Sequence, residues 1–166
     1  QYMENAEKYK KEQDALEQEI QELLQNEGSD EAYGDGQLKW PVPTRSYISS
    51  YFGWRTLYGR PNYHKGIDIP GSAGTNIVAA DAGKVLKVSK LTYGYGWHVI
   101  IDHGNGVSTL YAHCSRLDVS VGDYVEKGQV VAGIGTTGNS TGNHVHFEVR
   151  INGVQQNPLN YVKQPS

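Results

Sequence analysis

The hydrophobic pattern of the chain changes character near residue 40. Over residues 1–27, a seam recurs in alternating steps of four and three, and no glycine or proline interrupts it before Gly28. This heptad period predicts an α-helix. The seam consists of Tyr2, Ala6, Tyr9, Gln13, Leu16, Ile20, Leu23 and Glu27.

Two interpretations of this helix fit the pattern. The seam is narrow and the opposite faces are charged, which favours the end of a longer coiled coil. Such a coiled coil would pair with a second copy of the chain or with a partner helix through residues 1–27. The alternative is an amphipathic helix that packs on the rest of the domain.

Residues 28–39, GSDEAYGDGQLK, contain three glycines and three acidic residues and almost nothing apolar, which predicts a linker. The body, residues 40–166, consists of short β-branched or alternating segments bounded by Gly, Asn or Asp. Turn signals at 81–83, 103–106, 121–123 and 152–153 predict hairpins. We therefore expect a mostly β, antiparallel domain with one N-terminal helix.

Charge and cysteine content narrow the chemistry only slightly. Residues 1–35 hold 11 acidic and 3 basic side chains, a net charge of −8, which leaves +5 on residues 36–166. This modest charge favours an anionic substrate surface, and we expect no nucleic acid partner. The single cysteine, Cys114, excludes an internal disulfide and a cysteine-based zinc site. No apolar run reaches the roughly 20 residues of a membrane span.

The segment NHVHFEVR, residues 143–150, carries the first sign of a functional site. Residues i and i+2 of a strand project from one face, with Cα atoms about 6.5 Å apart. His144 and His146 therefore share a face, and Val145 and Phe147 point the other way, into the core. Two imidazoles at that separation can approach one metal ion and a water.

Two further segments offer ligands. In HKGID, a straight strand would hold the Cα atoms of His64 and Asp68 about 13 Å apart, so we expect the chain to bend at Gly66. Strand alternation in VSTLYAH places His113 on one face with Thr109 and Tyr111, as a candidate wall of the same groove. Two histidines and one carboxylate with an open fourth position form a catalytic zinc site. The spacing leaves open which histidines bind.

Together these segments resemble the LytM/lysostaphin-type zinc metallopeptidases, the M23 class of cell-wall endopeptidases. The similarity covers roughly residues 47–162 and leaves the helix unmatched. It implies a lysostaphin-like barrel-sandwich fold with a duplicated hybrid motif. The matching segments stand in family order: FGWR at 52–55, HKGIDI at 64–69, AADAGKV at 79–85, IDHGNG at 101–106, TLYAH at 109–113, GDYVEKGQ at 122–129 and TGNSTGNHVHFEV at 137–149.

The resemblance implies a role for each site residue. It assigns one Zn²⁺ per domain to His64, Asp68 and His146, and the proton-handling catalytic roles to His113 and His144. It also suggests a tyrosine near the oxyanion, for which Tyr58 and Tyr63 are equal candidates; both could equally form an aromatic groove wall. Arg55 matches a family position, where we expect it to fix its loop rather than contact substrate.

Four residues outside this set carry weaker expectations. We expect His98 at the surface, His103 in a structural role and Cys114 buried and inert. Glu148 lies on the His146 face, where it would either orient that ligand or occupy an exposed strand position.

The resemblance implies a zinc endopeptidase that hydrolyses peptide cross-links or stem peptides of peptidoglycan outside the cytoplasm, secreted or anchored through a preceding region. The alternative is a catalytically silent scaffold that recruits or activates another cell-wall hydrolase. Such relatives carry coiled coils but usually lack ligands, whereas all five residues are present here. The segment VGDYVEKGQVV also resembles lipoyl or biotinyl carrier hairpins, but the modified lysine of those carriers has no counterpart.

Overall fold

The computed structural model describes the backbone of residues 2–166 and the side chains of residues 7–166. Predictions for Gln1 and for the seam side chains of Tyr2 and Ala6 lie outside the described residues. Within residues 2–166 there is one α-helix, α1 (Tyr2–Glu27), and a short 3₁₀ helix, Pro158–Asn160. The strands are β1 (Gly53–Leu57), β2 (Arg60–His64), β3 (Ile67–Pro70), β4 (Asn76–Val78), β5 (Gly83–Lys90), β6 (Trp97–Gly104), β7 (Val107–Ala112), β8 (Cys114–Leu117), β9 (Tyr124–Val125), β10 (Val130–Ile134), β11 (His144–Ile151) and β12 (Val154–Gln156).

The described strands form three antiparallel sheets. The largest has the order β12-β11-β7-β6-β5-β9, and β3 also pairs with β11. The second sheet has the order β4-β10-β8, and β1 and β2 form a separate hairpin. The prediction of a mostly β, antiparallel domain is confirmed.

The predicted hairpins are correct at two of the four turn signals. Residues 103–106 join the paired strands β6 and β7, and residues 152–153 join β11 and β12. Residues 81–83 and 121–123 instead connect strands that pair elsewhere: β4 and β8 both pair with β10, while β5 pairs with β9. Turn residues specify that the chain reverses, but they do not specify which strands become hydrogen-bonded neighbours.

The main core lies between the large sheet and the β4-β10-β8 sheet. Alternation along β11 directs Val145, Phe147 and Val149 into it. From β7, Tyr111 is fully buried in the same core, and its hydroxyl accepts a hydrogen bond from the Ala80 N–H. The opposite face of β11 is thereby left for polar side chains.

Helix α1 packs on that opposite face of the large sheet. Leu16 and Ile20 are buried against Ile100, Leu110 and Ala112. Two members of the predicted seam are thus covered by the chain's own sheet, as in the packed amphipathic helix. In this structure Leu16 and Ile20 are therefore unavailable for pairing with a second helix. The heptad period did not distinguish the two partners, because it suits a sheet as well as a second helix. Pairing through the more N-terminal part of α1 stays a prediction.

Residues 28–39 contain no helix or strand, but they are bonded to the body at several points. The Ser29 N–H donates to Asp102, the Tyr33 N–H to the His103 carbonyl, and the Lys39 N–H to the Ala80 carbonyl. Asp35 forms an ion pair with Lys127 at 2.7 Å. The segment therefore follows the surface of the domain closely, and the proposed boundaries at residues 28 and 40 stay predictions.

His98 corrects the expectation of a surface histidine. Its side chain is fully buried on β6, and its Nδ1–H donates to the Gly96 carbonyl while Nε2 has no hydrogen-bond partner among the described residues. Burial lowers the pKa of His98 to about 4. Because His98 is buried and not exposed as predicted, it is neutral in the folded protein near neutral pH.

The buried His98 predicts a loss of stability in mild acid. The unfolded chain binds a proton near pH 6.5 and the folded chain only near pH 4, so stability falls as pH drops through this window. From His98 alone, the free energy of unfolding should be about 2 kcal/mol lower at pH 5 than at pH 8. Denaturant unfolding at both pH values, with chelator present, should show a smaller difference for His98→Gln. An equal difference in both proteins would contradict this account.

Candidate metal centre

Strand β11 lies between β3 and β7 and brings the site together. Its register places His146 directly opposite Asp68 on β3 and opposite Ala112 on β7. Because Val145 and Phe147 are anchored in the core, His144 and His146 project from the other face, as the alternation predicts. β2 ends at His64, three residues before β3 begins, which brings His64 to the same point.

Three donor atoms converge at this point. The Nε2 of His64 lies 3.1 Å from the Nδ1 of His146, and each nitrogen lies within 3.2 Å of the Asp68 Oδ1. In a tetrahedral zinc site with bonds of 2.0–2.1 Å, neighbouring ligand atoms are about 3.3 Å apart. The triangle therefore has the size that a zinc ion requires. His64, Asp68 and His146 could hold a metal ion.

Gly66 makes this convergence possible in a way that the sequence did not show. It has no left-handed backbone conformation, but a Cβ at this position would lie 2.5 Å from the Phe147 carbonyl oxygen and 2.8 Å from the His146 Cε1. Any larger residue would push β11 and the His146 ring away. The glycine thus permits close approach of two chain segments rather than a sharp turn.

The hydrogen bonds of the two imidazoles direct their lone pairs inward. The His64 Nδ1 is 3.0 Å from the Tyr51 carbonyl, which can only accept, so the proton resides on Nδ1. The His146 Nε2 lies 2.8 Å from a carboxylate oxygen of Glu148, which fixes its proton on Nε2. With their inner protons displaced, the two nitrogens would present lone pairs beside one carboxylate oxygen, an arrangement that a bound cation stabilises.

His113 and His144 form a second pair beside this triangle. Their ring centroids are 4.9 Å apart, and the His144 Nε2 lies 3.6 Å from the Asp68 Oδ1. The His113 Nδ1–H donates to the Thr137 carbonyl at 2.7 Å, and the His144 Nδ1–H to the Gly142 carbonyl at 2.9 Å. In both rings Nε2 is left as a proton acceptor.

Simple alternation was the wrong reason for placing His113 in the groove. Thr109 and Tyr111, predicted to share its face, are fully buried and hydrogen-bonded to each other, with Tyr111 in the core. His113 has a left-handed backbone with φ 65°, which breaks the strand and turns its ring to the other side. A non-glycine residue in this conformation is strained, and such strain is concentrated at functional sites.

The electrostatic environment separates the protonation states of the site. Burial, together with the nearby His146, lowers the pKa of His113 to about 3. In the metal-free site, burial alone would raise the pKa of Asp68, but protons on the inner nitrogens of His146 and His64, which a metal ion would displace, bond to this carboxylate and hold that pKa well below its ordinary value. At neutral pH the site therefore contains an ionised Asp68 and a neutral His113.

The remaining predicted residues lie on the β1–β2 hairpin. Arg55 donates to the Asn62 side chain and to the Ser50 hydroxyl, both at 2.9 Å, and lies 3.6 Å from Asp68. These bonds fix the hairpin. Tyr63 contacts the Phe52 and Trp54 rings, as an aromatic wall would, and Tyr58 is exposed in the turn with φ 52°. An oxyanion or substrate role for any of the three stays a prediction.

Sequence reasoning missed three residues that support the site. The Tyr95 ring stacks on His146 with centroids 5.7 Å apart, and its hydroxyl donates to Glu148. Arg150 donates to Glu148 and to Glu17 of α1. The alternation that pairs His144 with His146 also puts Glu148 and Arg150 on their face, so this signal was present. No sequence signal pointed to Tyr95 or Glu17.

An antiparallel β scaffold that brings together two imidazoles, one carboxylate and two further histidines has the residue types of a metal-dependent hydrolase site. The model of peptidase family M23 matches residues 62–158, more than half of the chain. The chain belongs to peptidase family M23.

Curated relatives agree with this family. The chain is 39% identical over 138 residues to an uncharacterized metalloprotease of Haemophilus influenzae, covering 81% of the chain and 29% of that protein. It is 44% identical over 114 residues to the DD-carboxypeptidase/endopeptidase Mpg of Neisseria meningitidis, covering 68% and 26%. It is 36% identical over 125 residues to the murein hydrolase activator NlpD of Escherichia coli, covering 75% and 31%. The chain thus spans about a third or less of each relative.

Solved structures show the same fold. A Pseudomonas aeruginosa protein assigned to peptidase M23 has a TM-score of 0.76 at 28% identity, covering 95% of this chain and 63% of its own. A zinc-containing peptidase of Vibrio cholerae gives 0.67 at 31% identity, covering 77% and 39%. The catalytic domain of lysostaphin from Staphylococcus simulans gives 0.64 at 29%, covering 70% and 91%. The expected lysostaphin-like fold is confirmed.

In the part of the chain that the structure describes, no helix combines the length and the apolar composition that crossing a membrane requires.

Proposed function

We propose that this chain is a zinc-dependent endopeptidase that hydrolyses peptide cross-links or stem peptides of bacterial peptidoglycan. The observation that carries the proposal is the inward-facing triangle of His64, Asp68 and His146, whose donor atoms are 3.1–3.2 Å apart. The relative named DD-carboxypeptidase/endopeptidase and the structure named a zinc-containing peptidase support the substrate class and the metal.

The triangle would hold one zinc ion per domain. When bound, zinc lowers the pKa of a coordinated water and polarises the scissile carbonyl. Asp68 contributes the negative charge, and the bonds from Tyr51 and Glu148 hold the two imidazoles in ligating orientation. A set of three protein ligands would leave one position for a non-protein ligand, as catalysis requires.

His113 and His144 would carry the proton transfers. Both rings use Nδ1 for a backbone hydrogen bond and leave Nε2 for proton transfer, and the lowered pKa of His113, about 3, keeps that residue neutral. His113 accepts a proton from the attacking water, and the pair returns it to the leaving nitrogen as the peptide bond breaks. Tyr58, Tyr63 and Arg55 on the β1–β2 hairpin remain candidates for substrate contact beside this pair.

The substrate places the activity outside the cytoplasm, where peptidoglycan lies. We propose that residues 40–166 form the peptidase domain, that residues 28–39 connect it, and that residues 1–27 belong to a longer helical region.

The alternative function is that of a scaffold that activates another hydrolase, as the name of the NlpD relative describes for that protein. The presence of all five site residues, brought together in one groove, favours the enzyme.

Digestion of purified peptidoglycan separates the two functions. The zinc-loaded protein should release new amino groups, and chelator should stop the release until zinc is restored. Mass analysis of products from defined muropeptides would then identify the bond that is cut. A zinc-loaded protein that releases no amino groups from any type of cell wall would reject the peptidase and favour the scaffold.

A further inference from the structure

A continuous chain of ionic hydrogen bonds links helix α1 to the metal centre. The His146 Nε2 lies 2.8 Å from the Glu148 Oε2, and the other oxygen of Glu148 accepts from the Arg150 Nε at 2.9 Å. The terminal nitrogens of Arg150 donate to both oxygens of Glu17 on α1, at 2.8 and 2.9 Å. Three links therefore connect Glu17 to His146.

The inner members of this chain are inaccessible to water. Arg150 is fully buried and Glu148 is 1% exposed. A buried guanidinium is tolerated only where carboxylates and carbonyls satisfy its donors, and removing one partner leaves an uncompensated charge. Here the partners are Glu148, Glu17, the Tyr95 hydroxyl and the Gly153 carbonyl, so α1 supplies one of the two negative charges that Arg150 requires.

The position of Glu17 is itself well determined. Gln21 and Gln155 donate to its two oxygens, at 2.7 and 3.0 Å, and the neighbouring Leu16 and Ile20 are buried against the sheet. The bidentate contact with Arg150 has the geometry of the stronger ion pairs. The docked helix thus holds Arg150, Arg150 holds Glu148, and Glu148 fixes the His146 ring.

We propose that Glu148 is a positioning residue for His146 and that helix α1, through Glu17, is a working part of the metal centre. Undocking of α1 leaves Arg150 with Glu148 as its sole carboxylate partner, which draws Glu148 away from His146 and weakens metal binding. By linkage, zinc binding favours the docked helix to the same extent. The inference rests on the proposed function only in taking His146 as a metal ligand.

Zinc affinity of matched variants tests the chain of contacts, measured by competition with a chromophoric chelator. Glu148→Gln should weaken zinc binding by roughly 10–100-fold, the range typical of residues that orient a ligand. Glu17→Gln should act in the same direction, by a smaller factor. Glu22→Gln is the matched control, because Glu22 lies on α1 but is bonded to Gln18 on the exposed face of the same helix; its affinity should equal that of the unmodified chain. The Co²⁺ absorption spectrum should change in Glu148→Gln and not in Glu22→Gln.

Hydrogen exchange of the unmodified chain tests the linkage without depending on how the variants fold. Addition of zinc should slow amide exchange in the docked part of α1, and Glu17→Gln should remove this effect. Exchange in α1 that is unaffected by zinc, or affinities of Glu148→Gln and Glu17→Gln equal to the control, would overturn the inference while the peptidase proposal stands. Failure of the unmodified chain to bind zinc would instead reject the proposed function.

Discussion

Replacing Asp68 with alanine should abolish zinc binding and peptide hydrolysis together. The Asp68 Oδ1 lies within 3.2 Å of both ligand nitrogens and supplies the only negative charge in the triangle. Its removal leaves two neutral imidazoles, which hold a divalent ion far more weakly. The loss of zinc affinity should exceed the roughly 10–100-fold effect of residues that merely orient a ligand. Zinc content after dialysis and amino-group release from peptidoglycan measure the two losses.

A surface carboxylate provides the control for Asp68→Ala. Asp118 pairs with Arg116 on the exposed side of β8, and Asp118→Ala should keep both zinc and activity. Circular dichroism of the two variants should be alike, which would assign the loss to the ligand and not to unfolding. An Asp68→Ala protein that retains one zinc with unchanged affinity would contradict the ligand set.

Replacing His113 should separate hydrolysis from zinc binding. Its ring adjoins the triangle, but His113 is not one of the three residues that could hold the metal. Its Nδ1–H is bonded to the Thr137 carbonyl, which leaves Nε2 for proton transfer. Loss of a general acid–base group lowers the rate by about 10²–10⁴-fold. His113→Ala should therefore keep one equivalent of zinc while kcat on a peptidoglycan peptide falls within that range.

The left-handed backbone of His113 calls for a second variant. Alanine at φ 65° is strained, whereas asparagine tolerates this conformation. His113→Asn keeps the turn but removes the proton acceptor, so it should be as inactive as His113→Ala and still bind zinc. Substantial activity in His113→Asn would show that His113 serves the backbone geometry and not proton transfer.

The sequence contained only part of the information about the site. Alternation correctly put His144 and His146 on one face, because period 2 is a local property of a strand. The convergence of His64, Asp68 and His146 depends on the register of β3 against β11, which pairs Asp68 with His146 and is a long-range property. Family resemblance, and not spacing, provided that set. The strained φ of His113 could not be predicted either, because a single left-handed residue produces no repeating pattern in the sequence.

The fold shows the same division between local and long-range information. Strands and turns were predictable from β-branched runs and glycines. The pairing partners of the strands that are joined at 81–83 and 121–123 were not predictable. The heptad seam of α1 was predictable, but its partner was not, because Leu16 and Ile20 suit a sheet as well as a helix. Glu17 lies outside that seam, and its contact with Arg150 spans 133 residues.

Anomalous diffraction from crystals of the zinc-loaded protein, collected at the zinc absorption edge, tests the central claim most directly. We expect one zinc ion per domain, about 2.0–2.2 Å from the His64 Nε2, the His146 Nδ1 and an oxygen of Asp68, with a non-protein ligand in the fourth position. An ion bound elsewhere, or a fourth protein atom that permanently closes the site, would contradict the account.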